Sequence, residues 1–173
     1  MAISFYDASV GTYLQLLEGL SGVMQKGAAA GESGDLDLAE LVQTRLREDM
    51  MPFHFQIVSA AHHSLGAIEG MKAGVFRPPS FDLDKDYAGL QGLIADTLSA
   101  LSGLDRSEVE ALADGSLVFA LGKRELPFSN ENFLLSFSLP NFYFHTTTSY
   151  DILRMLGVPL GKMDFMGRMK VGA

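Results

Sequence analysis

The chain has 173 residues, about one domain's worth of sequence, and is read here as a single domain over 1–173. Its 47% hydrophobic content excludes a disordered chain, and the absence of Cys excludes a disulfide framework, a thiolate metal site and a Cys nucleophile. A net charge of −8 argues against nucleic acid and anionic membranes as partners, because both demand clustered Lys and Arg.

The N-terminus, Met1 to Asp7, has no basic stretch leading into an apolar run, so no secretory signal is expected. No segment approaches about 18 uncharged apolar residues, so no membrane span is expected either. The expectation is a soluble, cytoplasmic protein. Tyr6, Val10, Tyr13, Leu17, Leu20 and Met24 recur every three or four residues and predict a first long helix, ended by Gly27 and a loop from Lys26 to Gly34. A second helical stretch is expected from Asp37 through Leu46 to Met50, broken by Pro52. Pro52 then suits the first turn of a new helix to about Ala73, with Phe53, Ile57, Ala61, Ser64, Ile68 and Met71 on one stripe. Gly74 ends it and Arg77-Pro78-Pro79 forms an extended connection.

Asp82, Asp84 and Asp86 precede a third long helix marked by Tyr87, Leu90, Ile94, Leu98 and Leu101, with Gly103 as its stop. Two capping-box patterns, Asp105 with Glu108 and Ser107 with Glu110, predict a short helix to about Ala113. Between Gly115 and Phe128 the pattern turns to a two-stranded hairpin at Gly122. The last long helix is expected over Pro140 to Leu156, with an earlier turn from Asn130 and a stop at Gly157 and Pro159. Lys162, Arg168 and Lys170 then make a locally basic tail, too few cations for a nucleic-acid contact. Four long helical segments with short connections predict an all-α four-helix bundle, with the hairpin as a small excursion before the last helix.

Standard catalytic motifs are missing. Gly157 to Lys162 is one residue short of a phosphate loop, and Met163 stands where a hydroxyl is needed. Four histidines carry the chemical interest. His145 follows Asn141 by four residues, so both side chains point the same way on a helix, and Thr148 and Ile152 extend that face inward. Thr146, Thr147, Thr148 and Ser149 are polar residues inside an otherwise apolar helix. They either serve a polar pocket or back-bond to helix carbonyls. On the Pro52 helix, His54 lies within about 20° of the apolar stripe's centre, His62 and Gln56 at its edges, and His63 on the opposite, solvated side. The pattern offers two or three imidazoles and no carboxylate on the His145 face, against the three protein ligands that zinc wants.

The residues Leu139-Pro140-Asn141, Phe142-Tyr143-Phe144-His145, Tyr150 to Arg154 and Gly157-Val158 resemble an uncharacterised bacterial domain-of-unknown-function family. Arg45-Leu46, Asp49-Met50, Pro52-Phe53 and Gln56 match its middle, and Gly161 to Gly167 match its C-terminal end. That family is similar to the DinB/YfiT-like superfamily of metal-dependent enzymes. The resemblance implies an up-down-down-up bundle, a homodimer and a divalent metal such as Zn or Ni held by three histidines. It places His145 on the second ligand of a His-x-x-x-His pair and Asn141 on the first, where an amide is a poor ligand. The third ligand, from the second helix, is left open among Gln56, His54 and His62. Two functions follow from this reading. One is a metal-dependent hydrolase or transferase with a degenerate site; the other is a non-catalytic bundle that binds a small apolar ligand or a protein partner through Phe133, Phe137, Phe142, Tyr143 and Phe144.

Overall fold

The computed structural model describes residues 3–79 and 84–172. Asp82 of the expected acidic cap, Met1 and Ala2 lie outside the described residues. The chain opens with α1 (Phe5–Ala8), capped by Ser4, whose Oγ accepts from the Asp7 N–H at 3.1 Å. After one residue α2 (Val10–Glu32) runs through Gly27 rather than ending there. The reason is packing. A Cβ at Gly27 would stand 2.3 Å from Tyr87 Oη, so the bare Cα is what lets that hydroxyl reach the Met24 carbonyl at 2.8 Å. A glycine that reads as a helix stop is a point of close approach between helices.

Asp37 accepts from the N–H groups of Ala39 and Glu40 and starts α3 (Leu38–Leu41). This helix is one turn, shorter than the periodicity to Met50 predicts; turns fill the stretch to Pro52. The Pro52 helix is two helices, α4 (Phe53–His62) and α5 (Leu65–Ala73), separated by His63 and Ser64. Gly74 caps α5 at φ +72°. Asp86 caps α6 (Tyr87–Ser102) and Asp105 caps α7 (Arg106–Glu110), both as expected.

The all-α expectation is corrected by a three-stranded sheet. β1 (Val75–Phe76) pairs in parallel with β2 (Ser116–Leu121), and β2 pairs antiparallel with β3 (Arg124–Ser129). The hairpin turns at Gly122-Lys123, as the sequence predicts. Gly122 takes φ +60°, which glycine adopts without a Cβ clash in a two-residue turn. The one-turn α8 (Asn130–Phe133) leads through a π-helical turn, Leu134–Ser138, into α9 (Leu139–Met155), and α10 (Lys162–Met166) lies on the first long helix. Gly157 closes α9 at φ +91°. The described chain is thus mostly helical with a small sheet, and none of its helices is long and apolar enough to cross a membrane.

The core sits where α2 meets α6 and α9, and α4 meets α6 and α9. Tyr13 and Leu17, Phe53 and Ile57, Leu90 and Ile94, and Phe142 and Ile152 supply it from those four helices and are buried. Phe142 meets Tyr13 edge-on with ring centres 5.0 Å apart, and Phe53 stacks on Tyr87 at 5.8 Å. Truncating a buried ring such as Phe142 to Ala would cost about 3–5 kcal/mol. The sheet covers a second cluster in which Phe76 meets Phe133 and Phe137 edge to face and Phe119 lies tilted against Phe137.

Candidate functional site: an imidazole pair between two helices

The facing surfaces of α4 and α9 build the site. On α4, Gln56, Ser59 and His63 follow a spacing of three and four residues and so share one face. All three are buried. On α9, His145 projects toward them, half-buried. Its Nδ1 lies 2.7 Å from Gln56 Oε1. The amide's orientation is fixed on its other side, where Gln56 Nε2 donates to the Met51 carbonyl at 2.8 Å. A carbonyl only accepts, so the nitrogen must face Met51 and the oxygen must face His145. It follows that His145 carries its proton on Nδ1 and keeps a lone pair on Nε2. Burial pushes its pKa down to about 4, so the ring is neutral at physiological pH.

His63 lies against this ring, with centres 5.7 Å apart and planes within 16°. The sequence places it in solvent, and the structure corrects that: it is 5% exposed. The helical phase itself holds, since the His63 N–H still donates to the Ser59 carbonyl at 2.8 Å; what a single apolar stripe misses is that α4 packs on α6 with one face and on α9 with another, and His63 lies on the second. Burial first, then the neighbouring His145 and His62, hold the His63 pKa down at about 3. Its carbonyl accepts from Ser138 Oγ at 2.7 Å, and Tyr13 Oη completes that link at 2.8 Å from the same hydroxyl. Since Ser138 spends its proton on the carbonyl, Tyr13 is the donor in the second bond. His63 Nδ1 and Ser59 Oγ are buried and without a hydrogen-bond partner in the described residues. Two orphaned polar atoms on one helix face mark a place where water or a ligand atom is expected. Phe55 and Phe144 approach the His145 ring edge-on at 6.0 and 5.3 Å.

The other predicted residues go elsewhere. Asn141 donates its amide to the Phe137 carbonyl at 2.7 Å on its own helix. His54 is fully buried, as its stripe position implies, but it accepts from the Lys85 N–H at 3.2 Å, on the side facing α6. His62 is held at the start of the β1 connection by the Arg77 carbonyl at 2.7 Å. The hydroxyls of Thr146, Thr148 and Ser149 back-bond to the carbonyls of Phe142, Phe144 and His145, which settles the polar run in favour of local satisfaction. Only Gln56 and His145, of the five candidates, meet. The residues sequence reasoning missed are Ser59 and His63; the three-then-four spacing from Gln56 was the available signal.

These donors do not fit a resident transition metal. The Gln56 oxygen is turned to His145 Nδ1, the Asn141 amide is engaged by the carbonyl one turn back, and among the described residues no carboxylate joins the ring pair. Among the described residues no three His, Asp or Glu side chains gather where they could hold an ion.

The family model of a domain of unknown function, DUF1993, matches residues 5–166. No curated protein matches the chain. Among solved structures, the crystal structure of a DinB family member protein from Shewanella denitrificans is 26% identical. It superposes with a TM-score of 0.80, over 97% of this chain and 94% of that one.

Proposed function

This chain belongs to the DUF1993 family and is DinB-like, and from that premise we propose that it is a four-helix-bundle binding protein whose imidazole pair recognises a small hydrogen-bond donor with an apolar body. The observation that carries the reading is the bond from His145 Nδ1 to Gln56 Oε1. It fixes a lone pair on His145 Nε2, beside the aromatic edges of Phe55 and Phe144. A neutral acceptor set among rings suits a neutral donor such as a hydroxyl or amide N–H.

Burial of the His145 ring weighs against general-base catalysis. A base works best with a pKa near the operating pH. A ring near 4 takes a proton too weakly at pH 7 to drive proton transfer. Against the metal-dependent hydrolase or transferase stands the loss of Gln56 as a ligand, since its oxygen accepts from His145 Nδ1, and the lack among the described residues of three His, Asp or Glu side chains placed to hold an ion. Homodimerisation belongs to the proposal as well, and light scattering on dilution reads it directly.

The test uses long-range ¹H–¹⁵N NMR of the histidines with phenol as probe. We expect the His145 Nδ1–H tautomer at pH 7 and a saturable shift of Nε2 with phenol that His145→Phe abolishes. Saturable binding of Zn²⁺ at micromolar concentration with perturbation of three side chains, or no response of His145 to phenol, overturns the proposal.

A further inference from the structure

A second imidazole, outside the pair just described, is built as an acceptor. His62 Nε2 lies 2.7 Å from the Arg77 carbonyl. That oxygen only accepts, so the proton sits on Nε2 and the lone pair sits on Nδ1. Nδ1 has no hydrogen-bond partner among the described residues and is not one of the sealed interior atoms. Beside it, over the ring face, lies Gly66. A Cβ there would stand 3.0 Å from Nδ1, closer than a carbon normally approaches. Gly66 occupies the first turns of α5, where glycine costs about 1 kcal/mol relative to alanine. The bare Cα therefore leaves room beside the lone pair for an approaching group.

Two grooves of about 240 and 300 Å³ meet at this point, and His62, Gly66 and Glu69 line both. Glu69 is exposed and forms no ion pair among the described residues. The first groove adds the apolar side chains of Val58, Leu65 and Leu93; Arg77 lines only the second. Among the described residues the first side offers acceptors, the imidazole nitrogen and a carboxylate, with an apolar wall beside them; the Thr97 hydroxyl there already donates to the Leu93 carbonyl at 2.7 Å. A hydrated divalent ion gains nothing from that wall, and an organic anion would meet Glu69.

We propose that the groove at His62, Gly66 and Glu69 binds a primary alkylammonium: its N–H groups donate to His62 Nδ1 and Glu69, and its chain lies along Val58, Leu65 and Leu93. The site is independent of the His145 reading. Burial holds the His62 pKa down, which keeps Nδ1 unprotonated at neutral pH even with Glu69 acting the other way.

Hexylammonium, hexanoate and hexanol serve as probes on the full chain, read by the His62 ring ¹⁵N shifts and by calorimetry at low salt. The expected result is saturable binding of hexylammonium alone, weakened at least tenfold by Glu69→Gln and by Gly66→Ala. Gly66→Ala puts a methyl where the ammonium must approach, yet replaces glycine with the better helix former, so loss of binding is not loss of fold; melting temperature confirms this. Equal binding of hexanoate, unchanged affinity in Gly66→Ala, a response to micromolar Zn²⁺ in place of the amine, or no saturable response to any probe overturns the proposal. A shift at His145 with none at His62 does the same, without touching the phenol result.

Discussion

Gln56→Leu is the sharpest test of the physical picture at the α4–α9 interface. Leucine keeps the volume, so no cavity forms and the apolar packing of a 2% exposed side chain is retained. What disappears is the acceptor for His145 Nδ1 and the donor to the Met51 carbonyl. Leaving a mostly buried donor unpaired costs about 1–3 kcal/mol, and an ordinary hydrogen bond contributes about 1 kcal/mol. The expected loss is about 2–3 kcal/mol, which for a domain of this size lowers Tm by about 5–10 °C. Urea denaturation gives the free energy, and calorimetry gives the shift in Tm. The ring also loses its tautomeric constraint, so the proton redistributes to Nε2 and the ¹⁵N shifts of His145 exchange character. If stability holds within about 0.5 kcal/mol, or if the proton stays on Nδ1, the amide is not what fixes this histidine, and the binding reading built on it falls.

Acid is the second lever. His63 and His145 titrate near 3 and 4 in the folded chain against about 6.5 when unfolded. Between these values only the unfolded state takes up the protons, so stability is full above about pH 6.5 and falls as pH drops toward 4, at up to about 1.4 kcal/mol per unit for each ring. Denaturation at pH 7.5 and 5 should show the fall, and His63→Phe should remove one ring's share of the slope; a flat profile contradicts the burial argument. Ser138→Ala should cost more than Tyr13→Phe, about 1–3 against about 1 kcal/mol. The serine variant strands the Tyr13 hydroxyl and the His63 carbonyl together, while the phenylalanine variant leaves Ser138 bonded to that carbonyl. Equal losses in urea would show that the hydroxyl pair is not a relay. Gly27→Ala should destabilise by about 1–3 kcal/mol despite alanine's better helix propensity, because its methyl would drive Tyr87 off the Met24 carbonyl. A stabilised variant in thermal melts would show that this contact has slack.

Much of this was legible before the coordinates. The first and third long helices, the caps at Asp86 and Asp105, the hairpin at Gly122 and the stop at Gly157 follow from local rules, and local rules suffice where backbone chemistry decides. The reading went astray where tertiary contact overrides a local preference. Gly27 is helical because Tyr87 needs its space, and β1 exists because β2 offers an edge beside Gly74. The site was half legible for the same reason. Gln56 and His145 were among the candidates, whereas His63 was assigned to water because one apolar stripe was taken as the only buried face of α4, and α9 covers a second.

The π-helical turn from Leu134 to Ser138 carries a consequence of its own. Such a turn holds one surplus residue relative to a regular helix, and it stands directly upstream of α9. The wide turn absorbs that amino acid, so α9 keeps the facing that sets Phe142 inside and His145 against Gln56. Forcing the segment into regular α-helix at its present length would swing every downstream side chain by about 100° around the axis, carrying His145 away from Gln56 and turning Phe142 out of the interior, although no contacting residue had been altered. The slackened turn is what lets the sequence carry an extra unit without cost to the site beyond it.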